Sequence, residues 1–284
     1  MIEDALALLR KSETGRMLVD GNRVPISFDF RMPANRNGVF DGDMISLNPR
    51  RIEGLSHARA VAVIAATLAH ELAHERQKNA GYEAATSVLL AHPEDCVLLF
   101  KMGEADAVAT SLRVAFELAR GGHSSMLHCW LAGENIHYGK CMGAFRAEVR
   151  KNPDDFDPAM NCAFCAWFSD FPTCEAYERQ VIDKYEDAVA WMKPRGGKPD
   201  MKPVRMPAKM ADDFGEGGAL LAEVGLWFPA MPAENREKLF GEPFTIIRDV
   251  TVFHDLPLAY GRMRRALATL PKQSHRPAPP QPRP

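Results

Sequence analysis

Two histidines four residues apart, with a glutamate directly after the first, give this sequence its clearest chemical signal. They are His70, Glu71 and His74 in the stretch TLAHELAHERQ. On a helix, positions i and i+4 lie on one face, so both imidazoles can converge on one metal ion. Glu71 lies about 100° around the helix from His70, where a base could take a proton from a water molecule on that ion. The spacing predicts a zinc centre with Glu71 as its general base.

The helix that carries this motif is expected to be deeply buried. The run ARAVAVIAATLAHELAH is rich in alanine and apolar nearly all round, and it predicts a helix over about 57–80, with Ser56 as N-cap and Gly81 just beyond its end. Histidines and glutamates are costly to bury in such a helix unless a metal or another partner compensates them. The apolar setting therefore favours a metal site over a chance match.

A catalytic zinc usually takes three protein ligands and leaves a fourth position for water. The best candidate for the third ligand is Glu104 in KMGEADAVAT, where alanines on the same segment would allow two helices to approach closely. The alternative is that Glu104 belongs to a solvated helix face. Asp106 lies about 200° around the helix from Glu104, so we expect it to support a ligand or to pair with Arg113.

The rest of the pattern predicts an α+β fold that is mostly helical. VPISFDF (24–30) alternates as a half-buried strand does, and VFDGDMISLNP (39–49) is typical of a hairpin or kinked strand that turns at Asp41-Gly42. Within it, we expect an edge strand on which a peptide substrate can pair. Its residues are Met44, Ile45, Ser46 and Leu47. Further helices are predicted over residues 3–10, 83–90, 93–120, 124–150 and 174–192.

The composition indicates how the chain is divided into domains and which kinds of partner are not expected. The pattern predicts a catalytic domain over 1–192, a linker or exposed loop over 193–209, a small helical extension over 210–270 and a disordered Pro-rich tail over 271–284. A formal net charge of −2 gives no reason to expect nucleic acid or an anionic membrane as a partner. The N-terminus is acidic, and its apolar run is too short and too amphipathic for a signal peptide. We therefore expect a cytoplasmic protein.

The sequence also resembles a known family. LAHELAHERQ and GEADAVA, with TGRMLVDGNRVPISFDF and GVFDGDMISLNP upstream, are similar to bacterial "putative metallopeptidase" domains of unknown function, of the gluzincin kind of zincin. The resemblance covers about residues 5–120. It implies one zinc ion per chain at His70, His74 and Glu104, with Glu71 as base. It also implies a zincin-like core, in which a small twisted sheet lies beside the active-site helix and helices close the other side.

Enzymes of this kind usually need a donor to the oxyanion that forms when water attacks a carbonyl. His123, His128, His137, Tyr138 and Tyr177 all lie in the region that could close over the metal. No spacing selects one of them. We favour His137 and Tyr177.

The six cysteines leave two interpretations open. Cys162, Cys165 and Cys174 could hold a structural zinc if a fourth ligand joined them; Cys129, Cys141, His128 and His137 are the candidates. Only one close ligand pair is present, however, and free cysteine is among the residue types most often buried. We therefore expect reduced, buried thiols.

The sequence as a whole favours a zinc-dependent hydrolase that cleaves peptide bonds in a peptide or protein substrate. One alternative is an inactive zinc-binding protein with a regulatory or interaction role. Another is a helical structural protein with a chance HExxH, and a hydrolase of non-peptide amides is a variant of the first reading.

Overall fold

The computed structural model of the chain describes residues 1–79, 93–132, 138–168 and 170–192. The helix predicted over 83–90, Gly81 and the three segments predicted beyond residue 192 lie outside these residues. The elements in chain order are α1 (Ile2–Leu9), α2 (Glu13–Gly21), β1 (Ile26–Phe28), β2 (Gly38–Phe40), β3 (Ile45–Leu47), a 3-10 turn (Pro49–Arg51), α3 (His57–Asn79), α4 (Pro93–Arg120), α5 (Ser125–Leu131), α6 (Gly139–Lys151), α7 (Asp157–Trp167) and α8 (Phe171–Met192). The predicted class, α+β and mostly helical, is confirmed.

The segment ETGRMLVDG forms a helix, α2, that was not among the helices predicted from the sequence. Ser12 caps it by accepting a hydrogen bond from the Gly15 N–H at 2.9 Å. The carboxylate of Glu117 on α4 accepts hydrogen bonds from both the N–H and the hydroxyl of Thr14. These contacts hold α2 against α4. The local sequence around α2 does not predict them, because their partner lies on a distant helix.

The three strands form one sheet with the order β1-β3-β2. β2 and β3 are an antiparallel hairpin, as the Asp41-Gly42 pair predicted. Asp41 closes the turn by accepting hydrogen bonds from the N–H groups of Asp43 and Met44, and Gly42 has a φ of 103° that favours glycine. The hairpin prediction is confirmed.

The predicted edge strand at Met44, Ile45, Ser46 and Leu47 is wrong, because β3 is the central strand. β3 pairs in parallel with β1 on one side and antiparallel with β2 on the other. Among the described residues, the strand at the edge of the sheet on the hairpin side is β2, which packs on α3. Alternation along a strand shows which side chains are buried, but it does not reveal the order in which strands pair.

α3 and α4 form the centre of the helical part. α3 is buried on most of its surface, as its alanine-rich sequence predicted, and alanines of both helices belong to one buried cluster. Ser111 on α4 donates its hydroxyl to the Ala66 carbonyl on α3 at 3.2 Å, a contact that requires the two backbones to lie close together. None of the described helices has the length and apolar character of a membrane span.

The later helices pack around α4. The single helix predicted over 124–150 is divided into α5 and α6, and α8 begins at Phe171, a few residues before the predicted start. α7 and the residues that follow it bury an aromatic cluster that includes Trp167 and Phe168. α7 and α8 contact α4, whereas β2 and β3 contact α3.

Gly38 on β2 marks the closest approach of the sheet to α3. A Cβ atom there would lie 2.6 Å from Thr67 Cγ2 and 3.1 Å from Glu71 Oε1. We therefore expect Gly38→Ala to lower the free energy of unfolding by about 1–3 kcal/mol through overpacking. Denaturant titration measures this change.

Two controls accompany the Gly38 variant. Gly143→Ala, on α6 with nothing within 4 Å of the new Cβ, should be neutral or stabilising. Thr67→Ser removes the clashing methyl group, so the double variant with Gly38→Ala should regain part of the loss. Unchanged stability of Gly38→Ala would contradict the close approach.

Candidate metal centre

The side chains of His70, His74 and Glu104 converge between α3 and α4. The two Nε2 atoms lie 3.1 Å apart, and the Glu104 carboxylate oxygens lie 3.4 Å from Nε2 of His70 and 3.5 Å from Nε2 of His74. Two ligands bound at 2.0–2.1 Å to a tetrahedral zinc must be separated by about 3.3 Å. The three separations fit such an ion, and these residues form the one such group of His, Cys, Asp and Glu found within the described part of the chain.

The surroundings of Glu104 also fit a bound cation. Its side chain is 7% exposed, and its buried Oε2 has no hydrogen bond of good geometry among the described residues, although Nε2 of His70 lies 3.4 Å away. A buried carboxylate oxygen without a partner is costly, and a metal ion at this point would compensate it. Two imidazole nitrogens and one carboxylate are a donor set that zinc accepts.

The protonation states of His74 and Glu104 depend on each other. Burial, the largest single influence, would lower the pKa of His74. The charge and hydrogen bond of Glu104, together with the charge of Glu71 and the hydrogen bond of Gln77, outweigh it and raise the pKa to about 9. Burial would raise the pKa of Glu104, and His74 and His70 together hold it well below its usual range. Without a metal, His74 is therefore an imidazolium paired with a carboxylate, and a metal ion must displace its proton.

Glu71 lies next to the group and faces the sheet. It is buried, and its carboxylate accepts a hydrogen bond from the backbone N–H of Phe40 on β2. Burial raises the pKa of Glu71, and the charge of Glu104 adds to this shift while the two histidines oppose it. A carboxylate with a raised pKa beside a metal position is suited to accept a proton and later release it.

Asp106 supports the group through a neighbouring glutamine. Gln77 accepts a hydrogen bond from Nδ1 of His74 at 2.9 Å, and its amide nitrogen donates to Asp106 Oδ2 at 2.7 Å. Arg76 donates to the same carboxylate oxygen at 2.9 Å. The expected pairing of Asp106 with Arg113 is absent from the described contacts, where Arg113 pairs with Glu117 and Asp157 instead.

The sequence alone favours a supporting or surface position for Gln77 and does not single out Arg76. A signal was present for Gln77, since it stands three residues after His74 on the same face of α3. Glu75, two residues before Gln77, has a structural role. Its buried carboxylate accepts a hydrogen bond from the backbone N–H of Arg23 at 2.6 Å.

Two tyrosines lie beside the metal group. The ring of Tyr138 stacks on that of His70 with centroids 6.4 Å apart, and its hydroxyl lies 3.4 Å from the hydroxyl of Tyr177 on α8. Burial, followed by the charge of Glu104, raises the pKa of both tyrosines, so both stay protonated and can donate. The structure thus brings the predicted Tyr177 to the group and adds Tyr138, which no spacing had selected.

The other predicted donors are placed less favourably. His137 lies outside the described residues. His128 is exposed on α5, and neither it nor His123 belongs to the metal group.

The described cysteines do not form a metal group. Cys129, Cys141 and Cys174 are buried and Cys162 is half-buried, and no cysteine joins a cluster of ligands within the described residues. Burial raises the pKa of Cys141 and of Cys174 to about 12, which makes both thiols poor nucleophiles. The side chains of Cys96 and Cys165 lie outside the described residues.

Metal affinity should depend on pH through His74. Below its pKa of about 9, an incoming metal ion must displace the proton. The apparent affinity for zinc should therefore rise with pH, by up to about tenfold per unit between pH 7 and 9, and level off above. Zinc titration against a chelator of known pH dependence measures the slope.

The control for this measurement is His57→Ala, which removes an exposed histidine paired with Asp4 at the start of α3. That variant should keep the slope of the wild type. An affinity that does not change between pH 7 and 8.5 would show that His74 is not the titrating ligand.

Comparison with known proteins places the chain in a family. A family model described as a putative metallopeptidase family matches residues 35–195, which is more than half of the chain and includes His70, Glu71, His74 and Glu104. No curated protein and no solved structure matches significantly. The name of the family implies a metal and a peptidase, in agreement with the group found between α3 and α4. The chain belongs to the putative metallopeptidase family DUF6782.

Proposed function

We propose that this protein is a zinc-dependent peptidase of the gluzincin kind, with a zincin-like core. The observation that carries the proposal is the convergence of two imidazole nitrogens and a buried carboxylate at separations of 3.1–3.5 Å, beside a fourth group, Glu71, that can act as a base. Family membership supports the peptidase activity. The donor set supports zinc as the metal.

In this proposal His70, His74 and Glu104 hold one zinc ion per chain. A bound zinc ion supplies Lewis acidity: it polarises the scissile carbonyl and lowers the pKa of water to about 7. Glu71 takes a proton from the attacking water and delivers it to the departing amine. Its raised pKa suits both steps, because the carboxylate must hold the proton between them.

The outer edge of β2, unpaired among the described residues, is the proposed position of the substrate backbone. Asp41 N–H donates to Met44 O and Asn48 N–H donates to Asn37 O, so residues 37, 39 and 41 face β3. The backbone groups of Gly38 and Phe40 therefore turn away from β3, and the Phe40 N–H already reaches Glu71. A peptide that extends β2 would lie next to the base. This replaces Met44–Leu47, which the central position of β3 excludes from that role.

Tyr138 and Tyr177 are the proposed donors to the negative charge that develops on the carbonyl oxygen. Both hydroxyls stay protonated. Tyr177 lies near Glu104, and the ring of Tyr138 stacks on that of His70. A hydroxyl that donates mainly in the transition state affects kcat more than KM. A Tyr177→Phe variant with unchanged kcat would remove Tyr177 from this role.

Glu71→Gln tests the proposed chemistry. The amide keeps the size of the side chain but cannot accept the proton, so cleavage of a quenched fluorescent peptide library should fall by about 10²–10⁴-fold. Zinc content should stay near that of the wild type, because Glu71 is not among the proposed ligands. Elemental analysis of the same samples measures it.

Glu53→Gln is the matched control, since it makes the same change at an exposed glutamate in the loop before α3. It should leave cleavage unchanged. Equal cleavage by wild type and Glu71→Gln would contradict the role of Glu71. A wild type that holds stoichiometric zinc and cleaves nothing would favour an inactive metal-binding protein.

A further inference from the structure

The orientation of the Gln77 amide is fixed by the groups that surround its nitrogen. Gln77 is 2% exposed, and its Nε2 lies 2.8 Å from the Gly103 carbonyl and 2.7 Å from Asp106 Oδ2. The carbonyl is an acceptor only. The Asp106 carboxylate is also held as an acceptor, because Arg76 donates to the same oxygen. An amide oxygen at this position would face two acceptors, so the nitrogen must be there.

The fixed amide in turn determines the proton on His74. With both amide hydrogens directed at Gly103 and Asp106, the amide oxygen faces Nδ1 of His74 at 2.9 Å. An oxygen of this kind only accepts hydrogen bonds, so Nδ1 must carry a proton. When His74 holds one proton, that proton is therefore on Nδ1, and the lone pair is on Nε2. Nε2 is the atom that faces His70 and Glu104.

The geometry points to Gln77 as a positioning residue that holds His74 in the Nδ1–H tautomer and so presents Nε2 to the metal, with Asp106 and Arg76 as the anchor of the glutamine. This inference rests on the proposed metal centre and adds a residue to it. Partners that orient a metal-binding histidine typically change metal affinity by about 10–100-fold when they are removed. Gln77 should therefore affect metal retention without touching the metal.

The first test needs only the wild-type chain, loaded with zinc. Long-range 1H–15N correlation spectra of the imidazoles distinguish the two ring nitrogens. The proposal predicts that His74 binds zinc through Nε2 and keeps a slowly exchanging proton on Nδ1. Zinc bound through Nδ1, with the proton on Nε2, would overturn it.

The second test compares zinc affinity among full-length variants by chelator competition. Gln77→Leu keeps the approximate volume and removes the acceptor, so zinc should bind about 10–100-fold more weakly. Asp106→Leu removes the acceptor that anchors the Gln77 nitrogen and should weaken zinc binding in the same direction, although residue 106 is not a proposed ligand. Asp106→Asn can keep an oxygen toward Gln77 and Arg76, so it should retain most of the affinity, which a loss caused only by altered packing would not predict.

The outcomes separate this inference from the proposed function. If the wild type binds no zinc, the metal centre itself is wrong and the role of Gln77 falls with it. If the wild type binds zinc and Gln77→Leu binds it equally tightly, only the positioning role is overturned. A Gln77→Leu protein that does not fold leaves the two Asp106 variants and the wild-type spectra to decide.

Discussion

The burial of one carboxylate is the constraint on which the candidate metal centre depends. Glu104 is 7% exposed and enters the space between α3 and α4 directly opposite His70 and His74. A charge in that position is stable only if an opposite charge meets it, and removing one partner of a buried pair costs about 3–5 kcal/mol. The metal-free protein meets the requirement with a protonated His74, and a divalent cation would meet it more fully. The small residues of both helices are necessary because they allow the side chains to meet.

A second buried ion pair fixes the helix that closes the site. Lys101, one turn before Glu104 on α4, pairs with Glu178 on α8, and both side chains are completely buried. Burial raises the pKa of Glu178, and the ammonium group of Lys101 opposes that shift. Because Glu178 directly follows Tyr177, this pair sets the register of α8 that brings the Tyr177 hydroxyl near Glu104. The ion pair between α4 and α8 thus helps to position a side chain of the candidate site.

The parts of the site that follow helical periodicity were predictable, and those that depend on tertiary contacts were not. His70 and His74 share a face of α3 by spacing alone, and alanine-rich segments indicated that Glu104 could approach them. The contact of Gln77 with Asp106 joins residues 29 positions apart, and Tyr138 reaches His70 from another part of the chain. Such pairings depend on how helices cross, which local sequence does not determine. The predicted edge position of β3 was wrong for the same reason. Ile45 pairs with Ile26 of β1 in parallel, and the alternation of side chains along β3 does not reveal this pairing.

The central claim is that three side chains hold one metal ion, and metal content tests it most directly. Wild type, His74→Ala and Glu104→Ala would be purified without added metal, supplied with zinc, and compared for zinc per chain by elemental analysis, with His57→Ala as control. The three-ligand centre predicts about one zinc per chain in the wild type and in the control, and a strong loss in both ligand variants. A wild type that holds no zinc after zinc is supplied, or a Glu104→Ala protein that retains the full amount, would contradict it.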